Sequence, residues 1–342
     1  MDVDQRERFA TGRIDQDSPW YDLYQKGIEL GTWDVERLFE AVGVEADLET
    51  WESLDPVVKE EWARLIAMFV DLEQAVAEDG RRVIEIMSSP YLEDNFEKEM
   101  YAAVFTMTEV KHTQFFDAYI NTVMADVYPE NHLDVRRGGQ PLPRTAACGM
   151  SDLGDRQGAL MALAANGGDP VDIARAATAY HMCVEGIAAR AGYARKNELL
   201  AEGSLPLLNK GFQFISTDEG RHVTHGLELL TELLERERDG EPAYQGVDQA
   251  IWEEALVDVR HILDTGFFIA DARKDPNPTG YATGRTSDLW QTQFDEILEL
   301  DHYDPSALVT AFTDAFEAAE ETDYDARLEQ HRERYRRIGG GA

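Results

Sequence analysis

Two short motifs carry the chemistry that the sequence makes legible. Glu109-Val-Lys-His112 and Glu219-Gly-Arg-His222 each set a carboxylate three residues before an imidazole. On a helix, residues at i and i+3 lie roughly 60° apart, so both side chains of a motif address one point. Apolar residues surround both: Phe105, Met107, Phe115 and Phe116 near the first, Phe212, Phe214 and Ile215 before the second. Each motif has a carboxylate one helical hairpin upstream. Glu73 precedes Glu109 by 36 residues, and Glu185 precedes Glu219 by 34. The same device therefore occurs twice, giving four carboxylates and two imidazoles. Hard carboxylates bind and bridge di- and trivalent cations, and each His adds one stronger-field nitrogen. Four carboxylates buried without a cation would repel one another and resist ionisation. Glu299-Leu-Asp-His302 and Asp258-Val-Arg-His261 resemble the motifs, but neither has a Glu at the matching upstream distance in an apolar helix.

Such side chains need long helices to hold them. Apolar residues recur at three- and four-residue steps over most of the sequence, and alternating β-branched runs are scarce. Asp55-Pro56 reads as an N-cap and first-turn proline, opening a helix that should stop near Gly80. Further helices are expected at about 92–126, 152–165, 170–196, 205–238, 247–272 and 304–336. The Gly/Pro-rich stretch 128–150 reads as a flexible loop. The expected fold is all-α: a ferritin-like four-helix bundle with added helices and a dimetal-carboxylate site inside it. One domain is expected over 1–342, with a metal-binding core at about 55–238 and C-terminal helices at 247–336, because neither helix pair could bury its apolar stripe alone.

Composition narrows the function. Asp and Glu number 67 against 32 Lys and Arg, a net charge of −35, which repels the phosphate backbone and argues against nucleic-acid binding. An acid-rich, Lys-poor protein suits high salt, where the Debye length is ~3 Å at 1 M, so a halophilic source is expected. Cys148 and Cys183 are too few for a disulfide framework or a four-Cys zinc site. The N-terminus lacks an apolar h-region and no apolar run reaches 18 residues, so a cytoplasmic protein without a transmembrane segment is expected.

Five blocks bear a family resemblance: LYQKGIELGTWD (23–34), LEQAV (72–76), EVKHTQFF (109–116), YHMCVEGIAARAGY (180–193) and ISTDEGRH (215–222). They resemble the small subunit of ribonucleotide reductase and, more closely, the ribonucleotide reductase small-subunit-like ligand-binding oxidases. The resemblance spans roughly residues 20 to 235. It implies that Glu73, Glu109 and His112 hold one metal and Glu185, Glu219 and His222 the other, with Glu109 bridging. It also implies manganese in the first position and iron in the second. Spacing alone does not separate Mn from Fe, and a di-iron pair is equally compatible with it.

Two details bear on which relative is meant. The radical-storing Tyr of the reductase subunit would stand four residues after His112, where this protein has Phe116. Some reductase subunits lack that Tyr as well. The oxidases carry an ether cross-link between a Val three residues after the first Glu ligand and a Tyr five before the fourth. Val76 and Tyr180 stand at those places. Val76 shares a helix side with Glu73. Tyr180 lies roughly 500° from Glu185 on a regular helix, about 140° off its side, so it needs a π-bulge or a long reach. The resemblance thus implies an O2-dependent oxidase of C–H bonds. Its ligand would be a long-chain fatty acid, in a tunnel lined by residues such as Met107, Phe116, Phe212 and Ile215, and its assembly a homodimer. The alternative is a radical-generating reductase subunit that docks on a large catalytic subunit. Cys183, His181, His225 and Arg221 read as core or pairing residues, and Tyr193 as either a core residue or a hydrogen-bonding residue near the site.

Overall fold

The computed structural model describes residues 14–93, 95–127, 145, 147, 150–264, 290–320 and 324–339. Every regular element among them is helical. Three short helices come first: α1 (Pro19–Leu30), α2 (Val35–Val42) and α3 (Glu45–Ser53). Two long ones follow, α4 (Pro56–Met87) and α5 (Asn95–Val123), then α6 (Met150–Ala165). The next rod is composite: α7 (Pro170–Ala177), a π segment (Thr178–Ala189) and α8 (Arg190–Leu199). Then come α9 (Pro206–Arg238), α10 (Val247–Asp264), a second π segment (Gln291–Ile297), α11 (Pro305–Glu320) and α12 (Tyr324–Gly339).

The bundle core is α4, α5, the composite rod and α9. Local chemistry fixes the starts of two of these. Asp55 accepts from Val57 N at 2.8 Å ahead of Pro56, whose missing N–H costs nothing in a first turn. Asp169 and Asp172 form a reciprocal capping box ahead of α7. The start of α9 is fixed from a distance. Buried Asp47 on α3 accepts from Leu207 N and Leu208 N at 3.0 and 3.1 Å, satisfying amides that a helix leaves unpaired. It also accepts from Tyr119 Oη of α5 at 2.8 Å, so one carboxylate ties three helices together.

The helix expected to stop near Gly80 runs on to Met87. Gly80 is a packing residue: a Cβ there would stand 2.2 Å from Thr106 Cγ2 on α5. Its missing side chain lets α4 and α5 approach closely, which requires nothing non-helical of its backbone. The expected 128–150 loop lies outside the described residues apart from 145, 147 and 150, as do 265–272 of the helix expected at 247–272 and 321–323 of the one expected at 304–336. No helix among the described residues is long and apolar enough to cross a membrane.

Candidate metal centre

The four core helices deliver one side-chain set each to a shared buried space: Glu73 from α4, Glu109 and His112 from α5, Glu185 from the π segment, Glu219 and His222 from α9. All six are buried. Two overlapping groups have ligand atoms within 4.8 Å of one another. One is Glu73, Glu109, His112 and Glu219; the other is Glu109, Glu185, Glu219 and His222.

The overlap is informative. Glu109 turns Oε2 toward His112 Nδ1 at 3.5 Å and Oε1 toward His222 Nδ1 at 2.8 Å. Glu219 turns Oε1 toward His112 Nδ1 at 3.4 Å and Oε2 toward His222 Nδ1 at 3.5 Å. Each therefore offers one oxygen to each half of the site, as a bridging carboxylate does. The family resemblance implies that place for Glu109; Glu219 has the same facing geometry here. Glu73 lies 3.0 Å from His112 Nδ1, and Glu185 lies 3.4 Å from His222 Nδ1. Each of these two belongs to only one of the two groups.

The donor set fits a pair of cations. Glu109 Oε1 and His222 Nδ1 are 2.8 Å apart, yet neither finds an aligned hydrogen-bond partner. Orphaned polar atoms in a dry interior are costly, and a cation between them removes the cost. Burial raises Glu73 and Glu185 well above the usual carboxylate range, with neighbouring carboxylates adding to it. Burial pushes Glu109 the same way, but the His222 and His112 imidazoles outweigh it and hold Glu109 below that range. Cations would remove the repulsion that burial magnifies.

The far nitrogens of the two imidazoles differ. His112 Nε2 stands 3.0 Å from Asp218 Oδ2. Asp218 also accepts from Trp33 Nε1 at 2.8 Å and from the Arg221 guanidinium. His222 Nε2 meets the Thr108 hydroxyl at 3.2 Å instead. Such outer partners fix ring orientation and ligand basicity, and here a carboxylate backs one half and a hydroxyl the other. Neither Asp218 nor Thr108 stood out in the sequence. Asp218 immediately precedes Glu219, but only the fold shows that it reaches across to α5.

Val76 is buried on α4, and Tyr180 is buried with its hydroxyl unpartnered. Burial first, then the carboxylates led by Glu185 and Glu109, raise the Tyr180 phenol well above its ordinary value, so the ring lies in the field of the cluster. The π segment spans Tyr180 through Glu185. With i→i+5 hydrogen bonding, its wider turn brings residues five apart near one line, which a regular helix does not.

Phe116 is fully buried and packs on Phe69 and Phe212 at centroid distances of 5.3 and 5.2 Å. Phe212 and Ile215 are buried as well, but Met107 is half exposed and does not face the interior. The motif-like His302 lies in a turn, its backbone N and ring Nδ1 paired with Asp248. Asp258 pairs with Arg156 at 3.3 Å.

No protein-family model matches the sequence. Solved structures do. The R2-like ligand-binding oxidase from Sulfolobus acidocaldarius is similar over 88% of this chain and 97% of its own, with a TM-score of 0.63 and 21% identity. A variant R2-like ligand-binding oxidase with an anaerobically reconstituted Mn/Fe cofactor covers 85% of this chain and 98% of its own, at TM-score 0.59 and 21% identity. Another, with an aerobically reconstituted metal cofactor after photoconversion, covers 92% and 96%, at 0.56 and 20%. The protein has the fold of the R2-like ligand-binding oxidases. That fold is the ferritin-like helical bundle, and the candidate metal centre sits between its four core helices.

Proposed function

We propose that this protein is a dinuclear Mn/Fe carboxylate oxidase that uses O2 to remove two electrons from a C–H bond. A di-iron pair suits the same donors. The observation that carries the reading is the doubled donor set, in which Glu109 and Glu219 each face both halves of one buried site. The cofactors of similarly folded oxidases support the Mn/Fe assignment. When bound, the metals would supply the reductive activation of O2, one electron from each divalent ion.

The residues then have distinct tasks. Glu73 and His112 would hold the first metal, Glu185 and His222 the second, and Glu109 with Glu219 would span them. Val76 and Tyr180 would supply two further electrons in a first turnover. One C–H bond of the Val76 isopropyl group and the Tyr180 O–H break and a C–O ether bond forms; two protons leave, and the electrons complete the four that reduce O2 to water. The unpartnered Tyr180 hydroxyl suits that role, since no hydrogen bond must first be broken. A long-chain fatty-acid-like ligand, its carboxylate toward the metals, would find apolar surface at Phe116, Phe212 and Ile215. We further read the protein as a cytoplasmic homodimer. The two-cysteine composition suits a reducing compartment, and Phe96, Met107 and Val110 expose apolar surface on α5.

The test is peptide mass spectrometry on protein loaded aerobically with Mn(II) and Fe(II). The expected product is a joined pair of peptides containing Val76 and Tyr180, lighter by two hydrogens than their sum. Two bound metals without that product would overturn the oxidase reading. The hydrogen-bonded path His112–Asp218–Trp33, ending on a half-buried indole, favours one second reading: the radical-generating subunit of a ribonucleotide reductase. Co-purification with a reductase large subunit would select it.

A further inference from the structure

His181 has no place in the six-ligand set, yet it touches the set directly. Its Nδ1 stands 2.8 Å from Glu185 Oε2, while the other oxygen of Glu185, Oε1, faces His222 Nδ1 at 3.4 Å. With a cation bound, Glu185 is ionised and only accepts, so His181 is then the donor, as its Nδ1–H tautomer. One oxygen of Glu185 is thereby occupied by a protein donor and the other is left for a cation. Glu73, the corresponding carboxylate of the first half, has its Oε2 beside His112 instead.

The His181 ring is held on several sides. It packs edge-on against Tyr180 at 4.5 Å, His225 at 4.7 Å and Phe105 at 5.8 Å between centroids. Room for it is made on α9 by Gly226, where a Cβ would stand 2.2 Å from His181 Cβ and 2.8 Å from its Cγ. An alanine at 226 would thus displace the imidazole. Inside the π segment, His181 and Glu185 are four residues apart, so the donor and its acceptor ride on one rigid turn.

We infer that His181 is a positioning residue that confines Glu185 to one-oxygen coordination of the second metal, which leaves a position there open for an external ligand. The inference rests on the two-metal reading of the cluster. It makes the halves unequal for a reason separate from the Asp218–Thr108 difference: a carboxylate with one oxygen already engaged cannot close on its metal with both.

The experiment uses the full-length protein and its His181→Leu, His181→Asn and Gly226→Ala variants. Each is titrated with Mn(II) and Fe(II), and occupancy at each position is read by anomalous diffraction. Asn keeps an N–H donor near the place of Nδ1; Leu removes it. The expected result is that His181→Leu weakens the second position about 10–100-fold, the usual cost of losing an outer hydrogen-bond partner. The first position is unchanged, and Glu185 turns to bind through both oxygens. His181→Asn restores one-oxygen binding, and Gly226→Ala reproduces the Leu result. Wild-type protein that binds two metals while His181→Leu keeps Glu185 on one oxygen at unchanged affinity overturns the inference alone. Equal weakening of both positions by His181→Leu, without rescue by Asn, also overturns it. Wild-type protein that binds no metal pair overturns the two-metal reading itself.

Discussion

Asp218 Oδ2 lies 3.0 Å from His112 Nε2, on the side of the ring away from the carboxylate cluster. Hydrogen bonds and ionic pairing with His112, Trp33 and Arg221 outweigh the effect of burial and hold Asp218 below the usual carboxylate range. An ionised partner behind a ligating imidazole raises its basicity and fixes its tautomer. Asp218→Asn keeps an acceptor for Trp33 and removes the charge. It should weaken metal at the His112 position about 10–100-fold and spare the His222 position. Position-resolved metal content checks this; equal occupancy in variant and wild type would refute it.

The facing of Glu109 and Glu219 toward both His112 and His222 predicts two classes of ligand variant. Glu109→Ala and Glu219→Ala should each deplete both metals, whereas Glu73→Ala and Glu185→Ala should each deplete one. A metal held at 100 times its dissociation constant adds ~2.7 kcal/mol to stability. The rise in thermal midpoint on loading should therefore be nearly abolished in the first class and reduced in the second. Full first-position occupancy in Glu219→Ala would remove it from the bridging pair.

Asp258, which is not one of the six candidate ligands, supplies a pH signature of its own. Burial first, and then repulsion by Glu254, raise its carboxyl to about 7 from an ordinary 3.8, against the pull of Arg156. Between about pH 4 and pH 7 the folded protein keeps a proton that the unfolded one has released, so stability falls as pH rises through that window and levels off above it. The whole step is on the order of 4 kcal/mol. Asp258→Asn removes it. The stability of the variant relative to wild type should grow from pH 5 to pH 8 in urea titrations of metal-free protein, and a constant difference would contradict the assignment.

The net charge of −35 predicts a salt response. At low ionic strength the self-repulsion destabilises the compact state; at 1 M the Debye length is ~3 Å and most of that repulsion is screened. The thermal midpoint should rise steadily from low to molar KCl. Indifference to KCl would argue against a halophilic origin.

The sequence by itself determined the local part of this protein. Helical periodicity and i, i+3 geometry put Glu109 with His112, and Glu219 with His222, on common helix sides, because that relationship depends only on backbone pitch. Asp55-Pro56 opened α4 where a cap and a missing N–H allow it. What lay between helices was decided by tertiary structure. Gly80 reads as a helix end in sequence, and only the nearness of Thr106 shows that it makes room for α5. Asp47, Thr108 and Asp218 look like ordinary polar residues until helices distant in sequence bring them their partners. The placing of Tyr180 near Glu185 needed the π segment, whose extra backbone width no short-range pattern announces. The place of Glu219 between both histidines was likewise fixed only when four helices packed around one space. Spacing in sequence governs which residues share a helix side, while the facing of one helix by another follows from how all of them bury their apolar sides together.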